Sequence, residues 1–166
     1  MSPPWSRPLE IDRLADGGAN VDFEVPLAQL EPLRTQRPEL AGHTEGRLHF
    51  TRDRGWPVAE LALRGEARLN CQRCLQPLHV RLEAESRVAL VASEADATRV
   101  PEDLEPMLAP GGRTTVGALI TEELLLALPI VALHAAPEEC PARAADTAAP
   151  RHRPFAGLGD LLKRSE

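Results

Sequence analysis

LALRGEARLNCQRCLQPLHVRLEAESRVAL, residues 61–90, consists of two alternating stretches around a short turn that carries two cysteines. In the first stretch Leu61, Leu63, Ala67, Leu69 and Cys71 fall on one side, with Arg64, Glu66, Arg68 and Asn70 on the other. In the second, Leu78, Val80, Leu82, Ala84, Val88 and Leu90 alternate with His79, Arg81, Glu83, Glu85 and Arg87. Side chains of a strand point to opposite faces with period two, so each stretch reads as a strand with one buried face. Two such strands joined by residues 72–77 predict an antiparallel hairpin with Cys71 and Cys74 in its turn.

On the N-terminal side, residues 46–52 alternate again, with Leu48 and Phe50 opposite Arg47, His49 and Thr51, and Asp53, Arg54 and Gly55 supply a turn. Residues 21–25 read as a further strand, with Val21, Phe23 and Val25 on one face. Pro26 suits a helix start, and Leu27, Leu30 and Leu33 form a stripe that Pro38 ends. The Pro-, Gly- and charge-rich residues 1–20 read as a flexible N-terminus.

On the C-terminal side, residues 93–113 break every period and carry Glu94, Asp96, Glu102, Asp103 and Glu105. They read as a solvated acidic loop, either a mobile connector or a dock for a basic partner. Val116, Leu119, Ile120, Leu124, Ala127 and Leu128 then recur at helical spacing, with Thr114 or Thr115 as N-cap and Pro129 as terminator. Leu125 and Leu126 widen the stripe enough to predict cover on most sides. Residues 141–153 read as a disordered linker, and Phe155, Leu158, Leu161 and Leu162 make residues 154–166 a C-terminal segment that docks back. The expectation is one α+β domain over residues 21–140: an antiparallel sheet, closed into a barrel or open, with a packed helix.

Composition narrows the function. Of 166 residues 43% are apolar, enough for one modest core, but aromatic residues make up only 3% and there is no tyrosine. Binders of single-stranded nucleic acid stack bases on aromatic platforms, and phosphate contact needs a basic face. A net charge of -6 opposes that and favours a protein partner. Residues 1–14 carry charge where a signal peptide is apolar, and no run approaches membrane-spanning length, so a cytoplasmic protein with reduced thiols is expected.

Cys71-Gln72-Arg73-Cys74 has the spacing of a zinc knuckle, in which one turn offers two thiolates to a metal. His134 and Cys140 could complete a structural Cys3His set. Two other readings stand beside it: Cys71 as a small apolar core residue with Cys74 in the turn, or the pair as a redox dithiol. The redox reading lacks the helix N-terminus that lowers a thiol pKa in thioredoxin-like sites. No phosphate loop, nucleophile elbow or histidine-rich motif is present, and His43, His49, His79 and His152 sit among polar neighbours. Glu122 and Glu123 are adjacent and, on a helix, point about 100° apart, which does not suit a shared-proton pair. A non-enzymatic protein is expected.

Three blocks in order, Cys71-Gln72-Arg73-Cys74-Leu75, Glu122 to Pro129 with a following His and Cys, and Pro154-Phe155-Ala156 with Leu158, resemble the YceD-like family of large ribosomal RNA subunit accumulation proteins. The resemblance implies a role in the synthesis, processing or stability of 23S ribosomal RNA. The partner would be a large-subunit ribosomal precursor, a ribosomal protein or an assembly factor, with Arg73, Glu122, Glu123 and Phe155 as candidate contacts. Direct RNA binding through the hairpin arginines and Arg151, Arg153, Lys163 and Arg164 is a further reading, and a zinc- or thiol-dependent redox or regulatory protein is the alternative.

Overall fold

A computed structural model describes residues 3–140. Its centre is the long hairpin, β4 (Trp56–Asn70) and β5 (Pro77–Val91), antiparallel from Val58↔Ala89 to Asn70↔Pro77. Strand β3 (Ala41–Asp53) pairs with β4 across the Arg54-Gly55 turn, and β2 (Asn20–Pro26) pairs with β3. A fourth neighbour, β6 (Glu105–Leu108), runs parallel to β5 and gives the order β2-β3-β4-β5-β6. With β2 and β6 at its edges the sheet is open, so the α+β class holds without barrel closure.

The period-two pattern becomes one buried face. Leu48 and Phe50 of β3, Leu61, Leu63, Ala67 and Leu69 of β4, and Leu82, Val88 and Leu90 of β5 share a core with Leu27, Leu30 and Leu33 of the β2–β3 connection. Short helix α2 (Glu31–Gln36) lies in that connection. Helix α4 (Val116–Ala127) joins the same core through Val116, Leu119, Ile120 and Leu124. The Thr115 side chain caps it, accepting from the Ala118 N–H at 3.0 Å. Strands β3 and β4 approach closely at Gly65, where an added Cβ would lie 2.3 Å from the His43 carbonyl oxygen. Beside it, buried Thr44 donates to the Arg64 carbonyl at 3.0 Å.

Three expectations change. Residues 4–20, read as flexible, form a 3-10 turn at Pro4–Ser6, strand β1 (Leu9–Glu10) and helix α1 (Ile11–Asp16), with Ile11 and Ala15 buried. Arg52 of β3 holds α1 by ion pairs to Asp12 and Asp16 at 2.9 and 2.7 Å. A helix of six residues carries too few turns to show a period, and tertiary contact makes it. The acidic residues 93–113 likewise hold α3 (Glu94–Ala97), β6 and β7 (Arg113–Thr114), the last paired with β1. Leu104 and Ala109 there are buried, Leu104 over Val58 and Ala89 on the far face of the sheet. Leu126, expected to be covered, is 76% exposed. The linker at 141–153 and the segment at 154–166 lie outside the described residues.

Candidate metal centre

At the tip of the β4–β5 hairpin the chain folds into a tight knuckle. The Cys71 N–H donates to the Gln76 carbonyl and the Leu75 N–H to the Cys71 carbonyl, both at 2.8 Å. Leu75 closes the turn with φ 62, a left-handed conformation unusual for a branched side chain. The turn sets Cys71, fully buried, beside the half-buried Cys74.

The other two ligands arrive from the opposite end of the sequence. After α4 the chain leaves the helix at Leu128 and Pro129 and returns along the hairpin tip, where the Gln72 N–H donates to the Ala132 carbonyl at 2.8 Å. This brings His134 in, and a 3-10 turn at Pro137–Glu139 delivers Cys140. The Cys71 and Cys140 sulfurs are 3.9 Å apart, and the His134 Nδ1 is 3.5 Å from both Cys74 Sγ and Cys140 Sγ. All four ligand atoms lie within 4.8 Å of one another. Zinc bonds of about 2.3 Å to sulfur and about 2.0–2.1 Å to nitrogen give a tetrahedron with edges of about 3.5–3.8 Å, close to these separations. A disulfide needs about 2.05 Å, so the three thiols are free.

The surroundings suit the same chemistry. The His134 Nε2 lies 3.3 Å from the Pro77 carbonyl; donating there fixes the tautomer that turns the Nδ1 lone pair toward the sulfurs. Burial pushes the Cys71 thiol up, but the backbone N–H groups of Cys74, His134 and Arg73 and the Cys74 side chain outweigh it and bring the thiol down to about 5. Burial, then hydrogen bonding with Cys74 and Cys71, pushes the Cys140 thiol up to about 11, against the pull of the Arg73 charge. Burial thus opposes the Cys140 thiolate, which a divalent cation held among the sulfurs would stabilise. The set of three sulfurs and one nitrogen could hold a zinc-like ion in a closed shell with no position left for substrate.

Arg73 is exposed on the knuckle between its two cysteines. Glu122 and Glu123 are on α4, the first exposed and the second half-buried, and neither belongs to the four-ligand group. Phe155, Arg151, Arg153, Lys163 and Arg164 lie outside the described residues. Sequence reasoning missed the apolar surface around the centre: Ile130, Val131 and Leu133 on the ligand-bearing loop and Leu75 on the knuckle are exposed. Their signal was four large aliphatic residues, one in the hairpin turn and three in the stretch after Pro129 to which no element was assigned.

A family model described as large ribosomal RNA subunit accumulation protein YceD matches residues 59–162, taking in the hairpin, α4 and all four ligand positions. Among curated relatives, the large ribosomal RNA subunit accumulation protein YceD of Haemophilus influenzae is 28% identical over 172 residues, covering 95% of this chain and 97% of that protein. No solved structure matches the chain. No helix among the described residues is long and apolar enough to cross a membrane.

Proposed function

Because the chain belongs to the YceD family of large ribosomal RNA subunit accumulation proteins, we propose that it supports accumulation of 23S ribosomal RNA in the cytoplasm as a binding factor and not as a catalyst. It acts on a large-subunit precursor through that particle's proteins or an assembly factor. The observation that carries this is the closed Cys3His group at the hairpin tip: it is built to hold a fold rigid and leaves no open coordination position for chemistry. Zinc is the ion whose bond lengths and ligand preference fit it, in a structural role.

Electrostatics support a protein partner over bare RNA. On the polar face of the sheet, Arg47 pairs with Asp22 at 2.6 Å, Arg64 with Glu45 at 2.8 Å, and Arg87 with Asp53 and Glu60 at 2.7 and 3.1 Å. Arginines neutralised by neighbouring carboxylates displace few counterions from a phosphate backbone. Arg73, Glu122 and Glu123 remain the contact candidates within the described residues, and Phe155 beyond them.

The thiol reading draws on the lowered Cys71 pKa, near 5. Cys71 is fully buried, however, and a redox thiol must meet its oxidant.

The test is depletion of the protein followed by rescue, read as the ratio of 23S to 16S RNA and as gradient profiles. A fall in 23S RNA and large subunits, restored by the wild-type chain and associated with its sedimentation on precursor particles, is expected. An unchanged ratio on depletion overturns the reading. Retention of the protein on precursors stripped of their proteins would favour direct RNA contact instead.

A further inference from the structure

Large exposed apolar residues are unevenly placed. Of the six among the described residues, Leu75, Leu126, Ile130, Val131 and Leu133 lie on the knuckle, the end of α4 and the loop between α4 and His134, with Leu108 elsewhere. Ile130 is 88% exposed and Leu126 76%, yet the backbone beside them is fixed by the Gln72 to Ala132 hydrogen bond and by buried Leu128 and Ala132. Three of the six fall within residues 130–133, and exposed aliphatic side chains grouped on a fixed backbone mark a contact surface. No Asp, Glu, Lys or Arg occurs from 128 to 137, so residues 130–133 ask for an apolar occupant without charge pairing.

The chain itself carries such an occupant. Beyond Cys140 the sequence holds Phe155, Leu158, Leu161 and Leu162 at spacings of three and four, with Asp160 the only charge between 154 and 162. The family match runs to residue 162 and so includes both the patch and these positions. Cys140, one of the four clustered ligands, is the last described residue before that stretch of sequence. From Cys140 to Phe155 the sequence spans 15 steps. Any chain of that length reaches at most about 50 Å, and a random coil of that length averages about 20 Å. A tether of this kind holds its end at about millimolar effective concentration, so even a weak apolar contact is formed most of the time.

We infer that the apolar surface formed by Leu75, Leu126, Ile130, Val131 and Leu133 is the docking site for the chain's own segment at Phe155, Leu158, Leu161 and Leu162. The inference does not depend on the ribosomal reading.

The test uses the full chain with Phe155 replaced by photoreactive p-benzoylphenylalanine, irradiated at low micromolar concentration and mapped by mass spectrometry. The expected product is a monomer with residue 155 joined to residues 126–133. In the same chain, Ile130→Asp should cut that product at least tenfold with metal content and far-UV circular dichroism unchanged; if Ile130→Asp disturbs folding, Leu126→Asp serves. Crosslinks between chains would make a second copy the occupant and overturn the inference. So would crosslinks to another surface, none at all, or a yield indifferent to the aspartate.

Discussion

Replacing Cys140 with serine separates the metal centre from the rest of the fold. Without an ion, the segment from Pro129 to Cys140 is held to the hairpin by the Gln72–Ala132 and His134–Pro77 hydrogen bonds and by burial of Ala132. Each hydrogen bond is worth about 0.5–1.5 kcal/mol net, so the segment alone is marginal. The β3–β4–β5 sheet keeps its own aliphatic core and does not need the ion. If the wild-type site is loaded at about 100 times its dissociation constant, binding contributes about 2.7 kcal/mol. At about 2–4 °C per kcal/mol for a domain of this size, Cys140→Ser should lower Tm by about 5–11 °C. Chelation of the wild type should reproduce that shift. Hydrogen exchange should rise in residues 129–140 and stay low in β4 and β5, while metal content falls from one ion per chain toward zero. A purified wild type with no metal and a Tm indifferent to chelator refutes the centre. Simultaneous loss of protection in segment and sheet refutes the separation.

Leu75→Gly relieves the left-handed backbone at φ 62 and should raise stability by up to about 1 kcal/mol, read as a higher urea midpoint with unchanged slope. Gly65→Ala puts a methyl 2.3 Å from the His43 carbonyl oxygen and should cost about 1–3 kcal/mol or prevent folding; a midpoint equal to wild type would show that the close strand contact there relaxes freely. Hydrogen bonds from Arg87 first and Arg54 next hold the Asp53 carboxyl below its ordinary 3.8. The stability this supplies is complete above the unfolded value and is lost as pH falls through the lowered folded one. Asp53→Asn should therefore flatten the acid limb of a stability profile below about pH 4; an unchanged limb would mean that the pairing adds nothing.

The hairpin, β3 and α4 were legible because long, half-buried elements repeat their pattern many times, and the pair Thr114 and Thr115 marked the start of α4 by capping chemistry, with Thr115 the one that caps it. Strand β6 was not legible: Glu105–Leu108 is four residues with a proline inside, and its parallel partner lies across a crossover. Its pairing comes from tertiary placement, with Leu104 and Ala109 buried on either side. Helix α1 escaped for a similar reason, since Arg52, some forty positions on, secures it. In the metal centre, cysteine and histidine are the residue types that thiolate coordination needs, so Cys71, Cys74, His134 and Cys140 could be grouped by chemistry before geometry. The apolar surface beside them left no periodic trace because it is divided between a turn and an irregular loop.

Cys140 is both a member of the ligand group and the residue from which the remaining chain departs, and this makes coordination a control on leash length. With Cys140 held, the free path to Phe155 is 15 steps; with the group open, it extends back to Leu128, where α4 ends, and becomes 27. Effective concentration falls roughly as the −3/2 power of tether length, so the tail's local concentration would drop about 2.4-fold. An ion bound at one end of the molecule would thus set how closely the tail is held to the part of the surface that Leu75 and Leu126 supply, while Ile130, Val131 and Leu133 move with the freed segment.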